Sequence, residues 1–453
     1  MRRNKRLLAA IIATSALVAP AATAQIAPDQ DMAAQVARQQ ALIDAQGEQL
    51  QRQAEALDAL RAQVARLAER DVPLQAPSAS LPAGSPVPSA EAPRIKLGGF
   101  IQTDLLYFPD ASPGEAEDLL HPSILSVDAA VPGRGRFRAT ARDTRFNVDI
   151  RRDSSIGLLR AFAEIDFHGS VIRNAQSQFN AYEPRLRHAY AEWTSTDERF
   201  SVLAGQNWSA FADPATYANT YNSLVLGSVF IRQPQLRLSY RTGGGVTLSA
   251  SIENPQGDIG ARGRSDHSEQ FDGLPDFVLT ARLDRKWGSL QLGGLLRRID
   301  EPELGESITG WGVSGSGVVH VPVGGRKQKL RFQAVYGTGI GRYIGELGPG
   351  FDGYMIDGRG LEHDRVVHGN ISYEHHFADW LSGTVKGSHT EVKAPEGVPG
   401  DRVQQISAFI ANIVFHPVSQ VDLAFEYAAA RRQNEEGSEG SGTLLRFTTR
   451  YRF

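Results

Sequence analysis

From Ile95 to the end, the chain alternates apolar and polar residues in segments of about 9 to 14 positions. Leu236, Leu238 and Tyr240 interleave with Gln235, Arg237 and Ser239. Phe277, Leu279, Ala281 and Leu283 interleave with Thr280, Arg282 and Asp284, and Phe146, Val148 and Ile150 with Arg145, Asn147 and Asp149. Leu423, Phe425 and Tyr427 lie opposite Asp422 and Glu426 in the same way. A strand turns successive side chains to opposite faces, so each segment has one apolar and one polar face. The pattern predicts sixteen strands, over 95–108, 136–152, 158–168, 184–194, 199–208, 230–241, 246–253, 275–284, 289–300, 308–321, 327–338, 365–376, 380–393, 402–416, 418–431 and 442–453. Sixteen is even, as a single-chain barrel with both ends on one side requires.

The connections between these segments alternate in length. Asp153 to Gly157, Ser195 to Glu198, Thr242 to Gly245, Arg285 to Gly288, Pro322 to Arg326 and Phe377 to Asp379 are tight, and His416-Pro417 marks another. Pro109 to Gly135, Ser209 to Val229, Asn254 to Leu274, Gly339 to Asp364 and Gln433 to Ser441 are long, or rich in Gly, Pro and acids. Short turns at one rim and long loops at the other are the rhythm of a membrane barrel, and a soluble sandwich gives no reason for it. The predicted fold is therefore all-β: a 16-stranded antiparallel transmembrane barrel with its apolar face on lipid and its polar face on water. Arg or Lys at mid-bilayer on the lipid face costs about 2–4 kcal/mol, so mid-strand arginines are expected to point inward. Segment 402–416 is apolar on both faces and is expected to carry a bulge or a protein-covered outer face.

The N-terminal quarter has other patterns. Residues 1–24 read as a secretory signal: basic Arg2, Arg3, Lys5 and Arg6, an apolar stretch from Leu7 to Val18, and the small-residue site Ala22-Thr23-Ala24. Within 25–70, Val36, Ile43, Leu50, Leu57 and Val64 repeat every seven residues against Gln39, Gln46, Gln53, Leu60 and Leu67. That spacing predicts an α-helical coiled coil in the periplasm, and its polar seam layers set register and oligomer number at a cost in stability. Residues 71–94 hold six prolines and form a semi-stiff linker. The barrel domain takes 95–453.

Composition narrows the function classes. Cysteine is absent, so there is no disulfide framework, thiolate metal site or cysteine nucleophile. A net charge of −3 gives no reason to expect nucleic acid as a partner. Basic residues are lopsided, 41 Arg against 7 Lys. No apolar run of 18 residues follows the leader, so helical spans are excluded.

Several stretches carry a family resemblance. The last strand, GTLLRFTTRYRF, alternates aromatics with arginines and ends on Phe453. It resembles the terminal strand by which outer-membrane barrels are addressed to the barrel assembly machinery. Leu186-Arg-His-Ala-Tyr-Ala-Glu-Trp193, Leu203-Ala-Gly-Gln-Asn-Trp-Ser-Ala-Phe-Ala-Asp213, Phe230-Ile-Arg-Gln-Pro-Gln-Leu-Arg237, Gly339-Ile-Gly-Arg-Tyr-Ile344 and Gln420-Val-Asp-Leu-Ala-Phe-Glu-Tyr427 resemble the DcaP-like trimeric outer-membrane porins. The resemblance implies a homotrimer in the outer membrane of a Gram-negative bacterium, set in lipid and lipopolysaccharide. It also implies passive diffusion of small anionic, dicarboxylate-like solutes, with no cofactor. Thr338 departs from the family, which has an acid before the Gly-Ile-Gly-Arg run.

Candidate chemistry follows from parity. Arg145, Arg237, Arg282, Arg297 and Arg446 are expected to face the lumen and to select anions, since Arg's fork fits carboxylates. The alternative pairs them with Asp149, Glu164, Asp166, Asp284 and Glu426 in a neutral scaffold. Ser209 to Val229, the third long loop, is expected to fold inward, with Asp213, Tyr217 and Asn222 as constriction residues. Ala161, Ala163, Ala189, Ala191 and Ala204 share the outward parity of three neighbouring strands and are the expected trimer contact. Asp352, Asp357, Glu362 and Asp364 are either a solvated acidic loop or a divalent-cation site. His375-His376 has no third ligand at a recognisable spacing, so no metal site is expected. No Ser, His and Asn grouping on a strand suggests an enzyme. An outer-membrane enzyme on the same barrel and a peptidoglycan-directed tether remain the alternatives from other classes.

Overall fold

A computed structural model describes residues 92–109, 135–169, 182–221, 226–260, 272–302 and 304–453. The leader, the heptad segment, the linker up to residue 91 and Asn222 lie outside the described residues. The strands are β1 (Arg94–Phe108), β2 (Arg136–Thr140), β3 (Arg145–Ser154), β4 (Gly157–Asp166), β5 (Arg185–Thr194), β6 (Phe200–Trp208), β7 (Arg232–Arg241), β8 (Val246–Glu253), β9 (Ile259–Gly260) and β10 (Asp276–Arg285). They continue with β11 (Gly288–Glu301), β12 (Glu306–Val323), β13 (Arg326–Thr338), β14 (Gly353–Ile356), β15 (Gly360–His363), β16 (Arg365–Ala378), β17 (Leu381–Lys393), β18 (Val403–Val418), β19 (Val421–Asn434) and β20 (Glu439–Arg452).

Seventeen segments form one antiparallel sheet. Since β2 and β3 pair with successive stretches of β1 and are halves of one strand, the barrel has sixteen strands. Every predicted segment is present, with ends moved by three residues at most. The sheet closes where β20 pairs with β1, from Phe100 opposite Arg452 to Tyr107 opposite Leu445. Phe453 adds a last bond, its N–H donating to the Gly99 carbonyl at 3.2 Å. Burial is inverted relative to a soluble protein. On the outer face Leu279 and Phe425 are 65% and 62% exposed, whereas inward Asp104 and Thr448 are fully buried. A wall of that kind is stable only with hydrocarbon outside it.

Three local features differ from the periodicity. The second strand is broken at 141–144, where four residues oppose three of β1. The Thr144 hydroxyl accepts from Gln102 N–H at 3.1 Å and donates to the Gln102 carbonyl at 3.2 Å, replacing the interrupted ladder. In β18 the register shifts at both ends, so the bulge is there. Its outer face is not covered, however: Phe409 and Ile413 are exposed. The inner face, Ile406, Ala408, Ile410 and Val414, is the one that protein covers. Thr338 lies on the outward parity of β13, between Trp311 and Arg365, so its departure from the family pattern does not reach the passage.

Two loops supply that cover by folding into the barrel, 209–229 and 339–364. Their buried apolar side chains, Phe211, Ile340, Tyr343, Ile344 and Leu347, form a core with Val278, Leu295 and Val335 of the wall. Loop 339–364 is fastened by the Gly-Ile-Gly-Arg-Tyr run. Tyr343 donates to Asp276 at 2.6 Å, and the Arg342 N–H donates to Asp352 at 3.0 Å. Gly341 must be glycine: a Cβ there would stand 2.1 Å from the Phe351 carbonyl oxygen. At the hub is Arg297, 2.7 Å from Asp352, 3.3 Å from Asp276 and 3.7 Å from Asp272, with all four side chains fully buried.

Removing the hub cation leaves buried Asp272 and Asp352 without a cation and Asp276 with only Arg342 at 3.9 Å, so Arg297→Leu is expected to destabilise the fold by about 3–5 kcal/mol. Burial pushes the Asp272 carboxyl, in the loop before β10, up to about 6. A raised carboxyl pKa stabilises the folded state at acid pH, and that contribution is lost as pH rises through about 6. The thermal deficit of Arg297→Leu, read by heat-modifiable gel mobility, should therefore be larger near pH ~8 than near pH ~5. A deficit independent of pH would show that the aspartates carry no charge cost.

Candidate functional site: the lumen and its inner loop

Residues 209–221 of the inner loop cross the interior and are fastened from β8 round to β20. Ala210 N–H donates to Glu253 at 2.8 Å. Asp213 accepts from Arg282 at 3.0 Å and from Ser316 at 2.9 Å, and caps the short turn Pro214–Thr216 through Ala215 N–H. Tyr217 packs edge-on to Trp208 at 5.1 Å and donates to the Val229 carbonyl at 2.7 Å. Asn412 donates to the Asn219 carbonyl at 2.7 Å. Tyr221 donates through N–H to Glu426 at 2.6 Å and through its hydroxyl to Asp422 at 2.9 Å, and its carbonyl accepts from Arg446. Burial pushes both phenols well above their ordinary value, so each is a neutral donor.

The returning limb is held as firmly. Gly227 N–H donates to Glu346 at 2.7 Å, and Lys386 donates to the Leu226 carbonyl at 2.5 Å and to Ser228 at 2.9 Å. Burial works against ionisation of Glu346, yet His368, Thr390 and Gly227 N–H hold its carboxyl below the ordinary range. Leu226 packs on Leu106, Ile410, Ala428 and Leu444, which explains the apolar inner face of β18. Among the described residues of this loop, the exposed ones are Pro214 and Ala215. Of the expected constriction residues, Asp213 is buried and serves as an anchor, and Tyr217 is partly exposed.

Across from the fastened side stands the wall of β3, β4 and β5, rich in arginine. Arg160 bridges Asp149 at 3.0 Å and Glu192 at 3.7 Å. Arg187 bridges Glu164 and Asp166, both at 2.7 Å, and Arg185 adds a second bond to Asp166. Arg145 and Arg232 have no such neutralising partner among the described residues. Arg145 lies over the Phe100 ring at 5.2 Å, and Arg232 lies over Trp208 at 4.7 Å and Phe230 at 5.3 Å. Arg450 shares Phe100 at 4.5 Å and also covers Tyr221. Arg145 Nε, Arg232 Nη1 and His188 Nδ1 are buried polar atoms with no hydrogen-bond partner among the described residues.

All five arginines chosen by parity do point inward, but they do not share one role. Arg145 stands on the basic wall. Arg237 spends its donors on Gln235 at 2.9 Å and the Trp208 carbonyl at 2.6 Å, and Arg282 is paired with Asp213. Arg297 and Arg446 do not line the passage: both are buried, Arg297 in its aspartate cage and Arg446 3.8 Å from Asp104 and 3.6 Å from Asp143. Parity gives the direction of a side chain, not the layer of protein lying over it. Arg185 and Arg187 were missed because a register shift at Glu164/Ile165 interrupts the alternation beside β5, and Arg232 because at the start of β7 it shares the outward parity of Pro234 and Leu236. The segments 186–193 and 230–237, which carry the family resemblance, contain Arg187 and Arg232 and were the available signal.

On the outer wall, the register sets Ala161 opposite Ala191, Ala191 opposite Ala204, and Ala163 opposite Ala189, forming one patch of small side chains. Of the acidic loop residues, Asp352 and Asp364 are not free for a cation, since they are buried against Arg297 and Arg402. His375 sits against Tyr373 and Phe377.

No protein-family profile matches the chain, and no curated protein matches it. Solved structures share its fold. The outer-membrane channel DcaP of Acinetobacter baumannii superposes with a TM-score of 0.67 at 20% identity, over 80% of this chain and 98% of that one. OmpT of Vibrio cholerae gives 0.51 at 10% identity, over 82% of this chain and all of that one. Salmonella typhi OmpF gives 0.51 at 9%, over 79% and 97%. The fold is that of an outer-membrane channel barrel.

Arg282 and Asp213 anchor the root of the inner loop, so Arg282→Ala leaves a buried carboxylate with only Ser316 and one N–H. Single-channel recordings in planar bilayers should then show noisier open states than wild type. Unchanged noise would mean that the later anchors hold the loop without this pair.

Proposed function

We propose that the chain is a DcaP-like porin of the Gram-negative outer membrane, passing small anionic, dicarboxylate-like solutes by diffusion. The observation that carries this reading is the asymmetry of the interior. One side is closed by a fastened loop, and the facing wall carries Arg145 and Arg232, whose guanidinium groups make no ion pair with any described residue. Stacking on Phe100 and Trp208 holds the two guanidinium planes in place, leaving their edges for a carboxylate fork. Low-dielectric walls keep such charges effective over roughly a Debye length of ~8 Å. The long loops face outside and both termini face the periplasm, where the heptads of residues 25–70 form a coiled coil. Phe453 is the recognition end for the assembly machinery. The reading includes no catalytic step, and a hydrolysis assay on purified protein separates it from an outer-membrane enzyme.

The selectivity test follows from the two arginines. Arg145→Glu with Arg232→Glu should move the reversal potential across a roughly tenfold KCl gradient towards cation preference. Neutralising the buried Arg446 should move it little. Equal potentials for wild type and the double variant would refute anion selection by this wall.

The homotrimer is proposed to close through the alanine patch. Small outward residues let barrel walls approach closely, and threefold symmetry repeats the contact. Replacing Ala163 and Ala191 together with Trp should give monomers on mild-detergent gels. Trimers of unchanged heat resistance would put the contact elsewhere.

A further inference from the structure

The outer wall carries two cations that form no ion pair with any described residue. The register sets Arg365, the first residue of β16, directly opposite Lys393, the last of β17. Both follow the outward parity of their strands and both are exposed. Like charges directly opposite in an antiparallel pair destabilise it. Other outward arginines at this rim are matched, Arg298 by Asp300 at 2.6 Å and Arg431 by Glu439. Arg365 and Lys393 make no ion pair with any described residue, and neither has a further contact beyond them. The nearest acids form no ion pair with either cation. Asp364 is turned inward onto Arg402. Glu391 shares the outer face of β17 and stands opposite Val367, one step nearer the short-turn end.

Depth identifies what meets these charges. Their row continues through Thr338 to Trp311, whose ring packs on Tyr336 at 5.6 Å. Trp311 and Tyr336 edge the apolar band, and aromatic girdles mark where hydrocarbon gives way to headgroups. Along the row, the outward side chains change from Leu296 and Trp311 to Arg365 and Lys393. Beneath the two cations the wall is open: a Cβ on outward Gly387 would meet nothing within 4 Å. This face lies away from the alanine patch of β4–β6 that is proposed above as the subunit contact.

We propose that Arg365 and Lys393 clasp a phosphate monoester of an outer-leaflet glycolipid of the lipid A type, whose acyl chains run down the wall below. The assignment rests on the reading that the long-loop rim is external. A phosphate monoester carries about −1.5 to −2 charges at neutral pH, which balances two cations. The Arg fork engages two of its oxygens and the Lys ammonium a third.

The test uses delipidated full-length protein in detergent, with binding read by native mass spectrometry. The probes are diphosphorylated lipid A, fully dephosphorylated lipid A and inorganic phosphate. Wild type should bind the diphosphorylated form at least about tenfold more tightly than the dephosphorylated one. Arg365→Gln with Lys393→Gln should lose that preference while keeping its heat-modifiable gel mobility. Inorganic phosphate at millimolar excess should leave the lipid bound. Equal binding of the two lipids by wild type, an undiminished preference in the variant, or displacement by inorganic phosphate would each overturn the proposal. Conductance of the same samples reports independently on the channel reading, so the two failures are distinguishable.

Discussion

Everything in this structure depends on one backbone constraint: in hydrocarbon, no N–H or C=O can be left unpaired. A sheet meets that condition only by having no edge, and the pairing of β20 with β1 removes the last one. Closure then dictates side-chain chemistry. The face turned to lipid must be apolar, so the polar half of every strand is driven inside. Charged groups concentrated in an enclosed volume must pair, coordinate loops or meet water.

The interior shows all three outcomes. Arg297 and its aspartates form a buried ionic cluster that rivets loop 339–364 to the wall. Arg282 and Arg446 are used to hold the inner loop, through Asp213 and the Tyr221 carbonyl. Arg145 and Arg232 rest on aromatic rings without an ion-pair partner among the described residues. The same residue type thus does three jobs, and what decides between them is how many carboxylates and loop carbonyls lie within reach. The loops are as much a part of the site as the strands, because they determine which inward arginines keep contact with water.

Much of this was legible in the sequence. Alternation over a dozen residues survives any local irregularity, so Leu236, Leu238 and Tyr240 were placed outward and Arg237 inward, and their register confirms it. The inward fold of 209–229 was also anticipated. The apolar inner face of β18 was misread, since its partner Leu226 is distant in sequence and belongs to a loop with no periodicity. Arg187 was missed because a one-residue register shift breaks the parity on which the inference relied.

The sequence by itself therefore determined the barrel: strand number, order, the sidedness of each face and the alternation of short and long connections. These follow from interactions between adjacent residues and adjacent strands, which a period of two records directly. Only the tertiary structure decided which arginines are buried among carboxylates and which have no ion-pair partner among the described residues. That choice depends on loop residues such as Asp213, Tyr221 and Asp352 meeting wall residues more than fifty positions away. Contacts of that kind leave no periodic trace in the chain.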